Sequence, residues 1–267
     1  MKLLQYLLEH NLAPDERTAR GLIMRGDVLV DDKPVSSEHA EVSKEQAVRL
    51  RGKAPGASVS RGAEKLLPVV ERTGFCCRDM ACLDLGVATG GFTQVLLNRG
   101  ARQVYAVDVA YGTIALELRN DPRVMLLERT NARDLSPELI PELIDRVVGD
   151  LSFISWEAVL PAVTPLVQPD VELLLMVKPQ FELSAQGRGG ELVDGVVVSP
   201  DLAGECLVGL YNTWVVNGLA PERVIPAGIR GAKGNQEYFA YLKMSPDPVN
   251  LETYTDLVKQ AVNEARK

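Results

Sequence analysis

Histidine and cysteine are both scarce in this chain of 267 residues. The two histidines, His10 and His39, lie within the first 40 positions, which argues against a histidine-based triad or metal centre in the rest of the sequence. The four cysteines show no CxxC spacing, so we expect reduced thiols and a cytoplasmic protein rather than a disulfide framework. We predict no metal site.

Long apolar runs and an excess of positive charge are also missing. No segment reaches the roughly 18 apolar residues of a membrane-spanning helix. The N-terminal stretch Met1–Leu8 is too short and too soon charged for a secretory signal, and we expect no membrane contact. The formal net charge is −7, so contact with nucleic acid would depend on local basic patches. The sequence leaves the oligomeric state open.

The first part of the chain has the pattern of a small α+β module. Two helical stretches, 2–10 and 15–24, precede a strand-turn-strand pattern over 27–35, and Gly26 suits the end of the second helix. This order resembles the S4 RNA-binding domain. Arginines here suit bidentate contact with phosphate oxygens, and a solvated helix face is the simpler alternative. The predicted RNA-contact set is Arg17, Arg20, Arg25 and Arg61.

A turn-rich stretch separates this module from a larger one. The sequence Ala54-Pro55-Gly56-Ala57-Ser58 is typical of a linker. We predict an S4-like RNA-binding domain over 1–53, a linker over 54–59 and a second domain over 60–267.

A strand, a glycine loop and a helix follow one another from residue 82. The stretch LDLGVATGGFT is followed about twenty residues later by Val104-Tyr105-Ala106-Val107-Asp108, a second strand that ends in an acid. Glycines let a cofactor approach the backbone, and the acid can accept hydrogen bonds from ribose hydroxyls. A merely structural turn is the alternative. The predicted cofactor-binding residues are Asp84, Gly86, Ala88, Thr89, Gly90, Gly91, Phe92 and Asp108.

The loop lacks the full GxGxxG pattern of pyrophosphate-binding folds. This favours S-adenosylmethionine, which carries no phosphate, over a dinucleotide. Further strands are predicted over 124–127, 146–150 and 171–178, with helices near 112–119, 136–144 and 156–166. The alternation indicates an α/β fold with a parallel, doubly wound sheet.

Polar residues are expected at the carboxyl edge of this sheet. Asp108, Asp150 and Lys178 each end a predicted strand, so all three should point towards the same edge. The sequence Asp150-Leu151-Ser152-Phe153 differs from the Asn/Asp-Pro-Pro-aromatic motif of amino-methylating enzymes. No cysteine accompanies the edge, as base-carbon methylation would require.

Eight stretches spread over the chain closely resemble the TlyA (hemolysin-A-like) family of rRNA methyltransferases. They are SRGAEKL, LDLGVATGGFT, VYAVDVAYG, LRNDPRV, ERTNAR, GDLSFIS, VKPQFE and GNQEYF. The resemblance implies an S4 domain joined to an FtsJ-like, Rossmann-like methyltransferase domain with a mostly parallel seven-stranded sheet. It also implies S-adenosyl-L-methionine as cofactor and a contact from Asn131 to adenine, with turn capping as the alternative role for Asn131.

The resemblance implies 2′-O-methylation of ribose in ribosomal RNA, with a cytidine of 23S and also 16S rRNA as the expected target. The family's catalytic set falls on Lys65, Asp150, Lys178 and Glu237. We expect Lys178 to act as the base, tuned by Lys65, while the two carboxylates orient the ammonium groups and the sugar. Which lysine is neutral stays open at this point.

Two other classes of function remain as alternatives. One is an RNA-binding or ribosome-assembly factor that keeps the cofactor fold but transfers no methyl group. The other is a membrane-active hemolysin, which the absence of long apolar runs and of a signal peptide argues against. The expected partners are ribosomal RNA or ribosomal subunits.

Overall fold

The structure is a computed structural model that describes residues 1–9, 13, 16–24, 26–31, 33–37, 40–43, 46, 48–50 and 61–266. The chain divides into two compact units, Met1–Ala57 and Ser58–Lys267. The predicted linker 54–59 lies outside the described residues, as do Arg25 and the side chains of Arg17 and Arg61.

The first unit contains two helices and a small antiparallel sheet. The elements are α1 (Leu3–Glu9), α2 (Glu16–Met24), β1 (Val28–Val30), β2 (Lys33–Val35) and β3 (Val48–Leu50), and the strand order is β2-β1-β3. Gly26 follows α2 with φ +71°, the left-handed conformation that ends helices, and its N–H donates to Ile23 O over 2.9 Å. The sequence had not indicated β3. The identity of this unit as an S4 domain stays a prediction.

The core of this unit is formed by apolar side chains from both helices and from β1. Leu3, Leu7, Ala19 and Ile23 repeat at helical spacing and are fully buried. Arg20 lies on the exposed face of α2, where its guanidinium contacts Glu16 over 2.7 Å. An exposed pair of this kind contributes little to stability.

The second unit is a seven-stranded sheet between helices, and it confirms the predicted mostly parallel α/β fold. Its strands are β4 (Ala81–Leu85), β5 (Gln103–Asp108), β6 (Val124–Glu128), β7 (Ile144–Gly149), β8 (Val167–Val177), β9 (Leu219–Pro226) and β10 (Tyr238–Met244). The strand order is β6-β5-β4-β7-β8-β10-β9, and β10 runs antiparallel to both of its neighbours.

Helices cover both faces of this sheet. They are α3 (Arg61–Thr73), α4 (Gly91–Asn98), α5 (Leu116–Arg119), α6 (Trp156–Val163), α7 (Pro179–Ala185), α8 (Pro200–Gly209), α9 (Tyr211–Val216) and α10 (Leu251–Ala265). Strand β8 packs on both sides: Leu173 and Leu175 face one hydrophobic cluster, whereas Leu174 and Met176 face the other. Its continuous apolar sequence follows from this double burial.

The predicted helix over 136–144 is wrong. Only a 3-10 turn, Ala132–Asp134, and a single hydrogen-bonded turn around Ser136 are present before β7 begins. Pro141 explains the difference, because proline has no N–H to donate and its ring clashes with the preceding helical turn. The helix predicted near 112–119 is likewise reduced to one turn, α5.

No helix among the described residues is long and apolar enough to cross a bilayer. The apolar segment from Leu202 to Leu219 forms α8 and α9, which pack onto the sheet through Leu207 and Trp214. These side chains belong to the hydrophobic core.

Candidate active site

Four predicted catalytic residues lie at the same edge of the sheet. Asp150 and Lys178 directly follow β7 and β8, whose carboxyl ends point the same way. Glu237 directly precedes β10 and reaches this edge because β10 is reversed, with Tyr238 paired to Val177. The antiparallel strand thus brings a residue from its amino end to the carboxyl ends of the others.

Lys178 and Asp150 form an ion pair. The distance from Lys178 Nζ to Asp150 Oδ1 is 2.7 Å. The buried Oδ1 has no hydrogen-bond partner, so the contact with the ammonium group is mainly electrostatic. Lys178 Nζ donates a hydrogen bond to Ser152 Oγ over 2.9 Å and lies 5.8 Å from the centre of the Phe181 ring.

Lys65 and Glu237 form a second, more deeply buried ion pair. Lys65 extends from α3, and its Nζ donates to Glu237 Oε2 over 2.6 Å. The same Nζ lies 3.9 Å from Met176 Sδ. Met176 and Lys178 are two residues apart in extended backbone, so both side chains project from one face of the sheet. Each lysine therefore contacts its own carboxylate on a shared face.

The glycine loop brings the ends of two strands close together. Gly86 has φ +87°, and a Cβ atom there would lie 2.7 Å from the backbone oxygen of Asp150. Gly90 has φ +96°, and a Cβ atom would lie 2.3 Å from Leu118. Any side chain at Gly86 would therefore separate β4 from the segment that carries Asp150.

Asp84 is fully buried below this loop. Its Oδ2 accepts a hydrogen bond from Thr93 Oγ1 over 2.6 Å, whereas its Oδ1 has no hydrogen-bond partner. Burial raises the pKa of Asp84 to about 7, opposed by the Thr93 hydrogen bonds and reinforced by the charges of Asp150 and Asp108. An unsatisfied buried carboxylate oxygen is costly, and a donor from a bound molecule would relieve it.

Asp108 organises the loop from the end of β5. Its Oδ2 accepts from Ala88 N over 2.7 Å and its Oδ1 accepts from Ala110 N over 2.8 Å. A carboxylate has about four lone-pair sites, so both oxygens retain capacity for ribose hydroxyls. Asn131 caps the following 3-10 turn by accepting from Arg133 N over 3.1 Å, which is the turn-capping role considered as its alternative.

A cavity of about 440 Å³ lies between these strand ends. Its walls include Gly86, Asp108, Asn131, Asp150, Ser152 and Phe153. The other predicted cofactor residues, among them Thr89 and Gly91, do not line it. Phe92 is buried and stacks on Phe239 with ring centres 6.0 Å apart. A larger cavity of about 560 Å³ lies beside Cys76 and Arg99, and none of the predicted residues lines it.

Two aromatic residues near the site have different surroundings. Trp156 is buried, and its Nε1 donates to Met176 O over 2.9 Å, so it is part of the core. Phe153 is 88% exposed, and its ring lies against that of Phe181 with ring centres 4.6 Å apart. Its backbone has a positive φ of +63°. Such backbone strain in a bulky residue is unusual, and an exposed aromatic ring at a cavity rim is typical of binding sites.

Sequence reasoning missed three residues that shape the site. Glu182 is buried and accepts hydrogen bonds from Ser155 Oγ and, over 3.1 Å, from Trp156 N. Burial raises the pKa of Glu182. Ser152 contacts Lys178, and Gly231 lies against Glu237. Ser155 before a helix is a recognisable cap signal, but its partner Glu182 follows 27 residues later in another element.

The strand order, with one reversed strand and a glycine loop after β4, defines a Rossmann-like methyltransferase fold. The model of the FtsJ-like methyltransferase family matches residues 58–244. The chain belongs to the FtsJ-like methyltransferase family.

Named relatives span almost the whole chain. It is 40% identical over 259 residues to the 16S/23S rRNA (cytidine-2′-O)-methyltransferase TlyA of Mycobacterium tuberculosis, covering 97% of this chain and 96% of that protein. It is 30% identical to Hemolysin A of Brachyspira hyodysenteriae, covering 90% of this chain and 99% of that protein.

A solved structure with the name "Putative hemolysin from Streptococcus thermophilus" is 27% identical and superposes with a TM-score of 0.73. The match covers 100% of this chain and 97% of that chain.

Proposed function

We propose that this chain transfers the methyl group of S-adenosyl-L-methionine to the 2′-oxygen of a ribose in ribosomal RNA. A cytidine in 23S or 16S rRNA is the first target to test, since the M. tuberculosis relative is named for cytidines in both. One observation carries the proposal. Lys178 and Asp150 lie beside the cavity at the carboxyl edge of the sheet, with Lys178 Nζ 2.7 Å from Asp150 Oδ1.

The residues around the glycine loop fit such a cofactor. Asp84 offers an unsatisfied buried oxygen for an ammonium group, and Asp108 retains lone pairs for ribose hydroxyls. Asn131 lines the cavity, and we assign it to the adenine of the cofactor. When bound, the cofactor supplies an electrophilic methyl group on a sulfonium. The other proposed cofactor-binding residues belong to the glycine loop and the start of α4: Gly86, Ala88, Thr89, Gly90, Gly91 and Phe92.

The four edge residues have different tasks in this proposal. A ribose hydroxyl is a weak nucleophile, so a base must take its proton as the oxygen attacks. Lys178, beside the cavity, is the base, and Asp150 holds its amine. Lys65 and Glu237 form a buried ion pair that has a supporting role in the site. Most of the acceleration comes from alignment of the reacting oxygen with the methyl group.

We propose that the first unit binds the RNA. Its order of two helices and a small sheet supports an S4-like domain over 1–53, and Arg20 is exposed. Arg17 and Arg25 of the same unit and Arg61 of the second unit are the other members of the proposed phosphate-contact set. Ribosomal RNA or a ribosomal subunit in the cytoplasm is therefore the proposed partner, with 54–59 as the linker.

Methyl transfer to defined RNAs tests the function. Purified protein is incubated with radiolabelled cofactor and with free 23S rRNA, free 16S rRNA or intact subunits from a strain that lacks the gene. We expect label in ribosomal RNA, resistant to alkaline cleavage at one or a few positions. Lys178→Ala should lower the rate by about 10²- to 10⁴-fold. Lys259→Ala, an exposed lysine of α10, is the matched control.

Two results would contradict the proposal. Tight RNA binding with no transfer to any of the substrates would favour a ribosome-assembly factor. Release of dye from lipid vesicles by the pure protein, without methyl transfer, would favour the hemolysin alternative.

A further inference from the structure

A hydroxyl group lies between the Lys178 side chain and the cavity. Ser152 is exposed and forms part of the cavity wall, whereas Lys178 is buried. The Lys178 Nζ and Ser152 Oγ atoms are 2.9 Å apart. A molecule that enters the cavity can therefore reach the serine hydroxyl more readily than the lysine nitrogen.

The Ser152 hydroxyl can both donate and accept a hydrogen bond. The Asp150 carboxylate only accepts, and a lysine ammonium only donates. Asp150 Oδ1 already lies 2.7 Å from Lys178 Nζ on one side. A neutral Lys178 amine can accept a hydrogen bond from Ser152 while its own N–H groups face Asp150. The serine hydroxyl can at the same time accept from a donor in the cavity.

The loop that carries Ser152 is fixed at both ends. At its start, Asp150 N donates to Leu85 O over 2.8 Å. At its end, the Ser155 hydroxyl donates to the buried Glu182 carboxylate. These two bonds anchor the segment on either side of Ser152.

We propose that Ser152 is a further catalytic residue, which passes the proton of the ribose 2′-hydroxyl to Lys178. The proposal rests on the proposed function and adds a second proton transfer to it. The oxygen–methyl bond forms as the methyl–sulfur bond of the sulfonium donor breaks, leaving a thioether. The 2′-oxygen loses its proton to Ser152 Oγ, while the Ser152 hydroxyl proton moves to Lys178. Lys178 begins as a neutral amine and ends as an ammonium.

Single-turnover kinetics of Ser152 variants test the relay. We expect Ser152→Ala to lower the rate of methyl transfer to ribosomal RNA at least tenfold, with cofactor and RNA dissociation constants within twofold of wild type. Ser152→Thr keeps a hydroxyl and should restore the rate to within threefold. Thr255→Ala, which removes a hydroxyl that bonds within α10, is the control and should leave the rate unchanged.

Rates in mixtures of H2O and D2O separate a relay from simple positioning. If two protons move in the rate-limiting step, the rate of the wild-type protein should depend on the deuterium fraction along a curve. The rate of Ser152→Ala should depend on it linearly. The relay is overturned if Ser152→Ala reacts within twofold of the wild-type rate or if Ser152→Thr does not restore the rate. It is also overturned if Ser152→Ala and wild type show the same dependence of the rate on deuterium fraction. A wild-type protein that methylates no RNA contradicts the proposed function itself, whereas an active wild type with an equally active Ser152→Ala contradicts only the relay.

Discussion

Gly231 lies so close to the Glu237 carboxylate that a side chain at position 231 would not fit. A Cβ atom on Gly231 would lie 2.0 Å from Glu237 Oε1, far inside van der Waals contact. Gly231 N also donates to Asn235 O over 2.9 Å, which closes the turn that leads into Glu237. The backbone of this turn therefore forms the wall against which the Lys65–Glu237 pair is held.

Gly231→Ala should displace the Glu237 carboxylate and disrupt its contact with Lys65. We expect methyl transfer to fall at least tenfold while the protein remains folded, because the clash involves a side chain that can move. Gly228→Ala is the matched control, since a Cβ there meets nothing within 4 Å. Single-turnover rates and melting temperatures of both variants provide the measurement. Equal activity of the two variants would contradict the supporting role of Glu237.

Removal of one partner from the buried pair should destabilise the protein more than removal of both. Lys65→Met leaves the Glu237 carboxylate buried without a countercharge, a situation that costs about 3–5 kcal/mol in comparable pairs. The double variant Lys65→Met/Glu237→Leu removes both charges and should recover most of the free energy of unfolding. Urea unfolding measures this recovery, and methyl transfer should remain low in both variants. A double variant no more stable than Lys65→Met would show that the pair is not coupled.

The sequence was informative wherever a single strand determined the position of a residue. Asp108 ends β5, and Asp150 and Lys178 directly follow β7 and β8. Parallel strands place such residues at one edge irrespective of the details of packing. No α-helix forms over 136–144, where Pro141 has no N–H to donate to a helical turn.

The pairing of the four edge residues could not be predicted from spacing. Lys65 and Glu237 are 172 positions apart, and they meet because α3 packs on the sheet while β10 runs in the opposite direction. Neither fact is encoded in a local pattern. Gly231 and Ser152 were missed for the same reason, since their importance depends on which side chain lies opposite.

The stability contribution of Asp84 should depend on pH in the direction opposite to that of most acids. Its pKa is about 7 in the folded chain, above the ordinary value of 3.8, so the native state keeps a proton that the unfolded chain loses. Stability is therefore lost as pH rises from about 4 to 7, and the penalty is constant above that window.

Asp84→Asn removes this titration and should gain stability relative to wild type as pH increases. Because one pKa unit corresponds to about 1.4 kcal/mol, the gain between pH 4 and pH 8 should reach roughly 4 kcal/mol. Urea unfolding of both proteins across this range measures it. Asp201→Asn, which alters an exposed carboxylate, is the control substitution. A difference between Asp84→Asn and wild type that stays constant with pH would mean that the pKa of Asp84 does not change on folding.

Phe153 is expected to contact the RNA substrate rather than stabilise the fold. Its ring is 88% exposed at the cavity rim, and its backbone adopts a left-handed conformation that phenylalanine rarely takes. Stacking between a base and an aromatic ring contributes about 1–3 kcal/mol. Phe153→Ala should therefore raise KM for RNA by about tenfold, with a smaller effect on kcat. Val216→Ala, an equally exposed apolar residue of α9, should change neither parameter.

Phe153→Gly separates the strain of this residue from its contact with RNA. Glycine adopts the left-handed conformation without penalty, so this variant should be at least as stable as Phe153→Ala although it too lacks the ring. Melting temperatures and KM values of the two variants give the comparison. A stable Phe153→Gly with the raised KM of Phe153→Ala would show that strain at this position is retained for substrate binding. An unchanged KM in both would assign the exposed ring no role in RNA recognition.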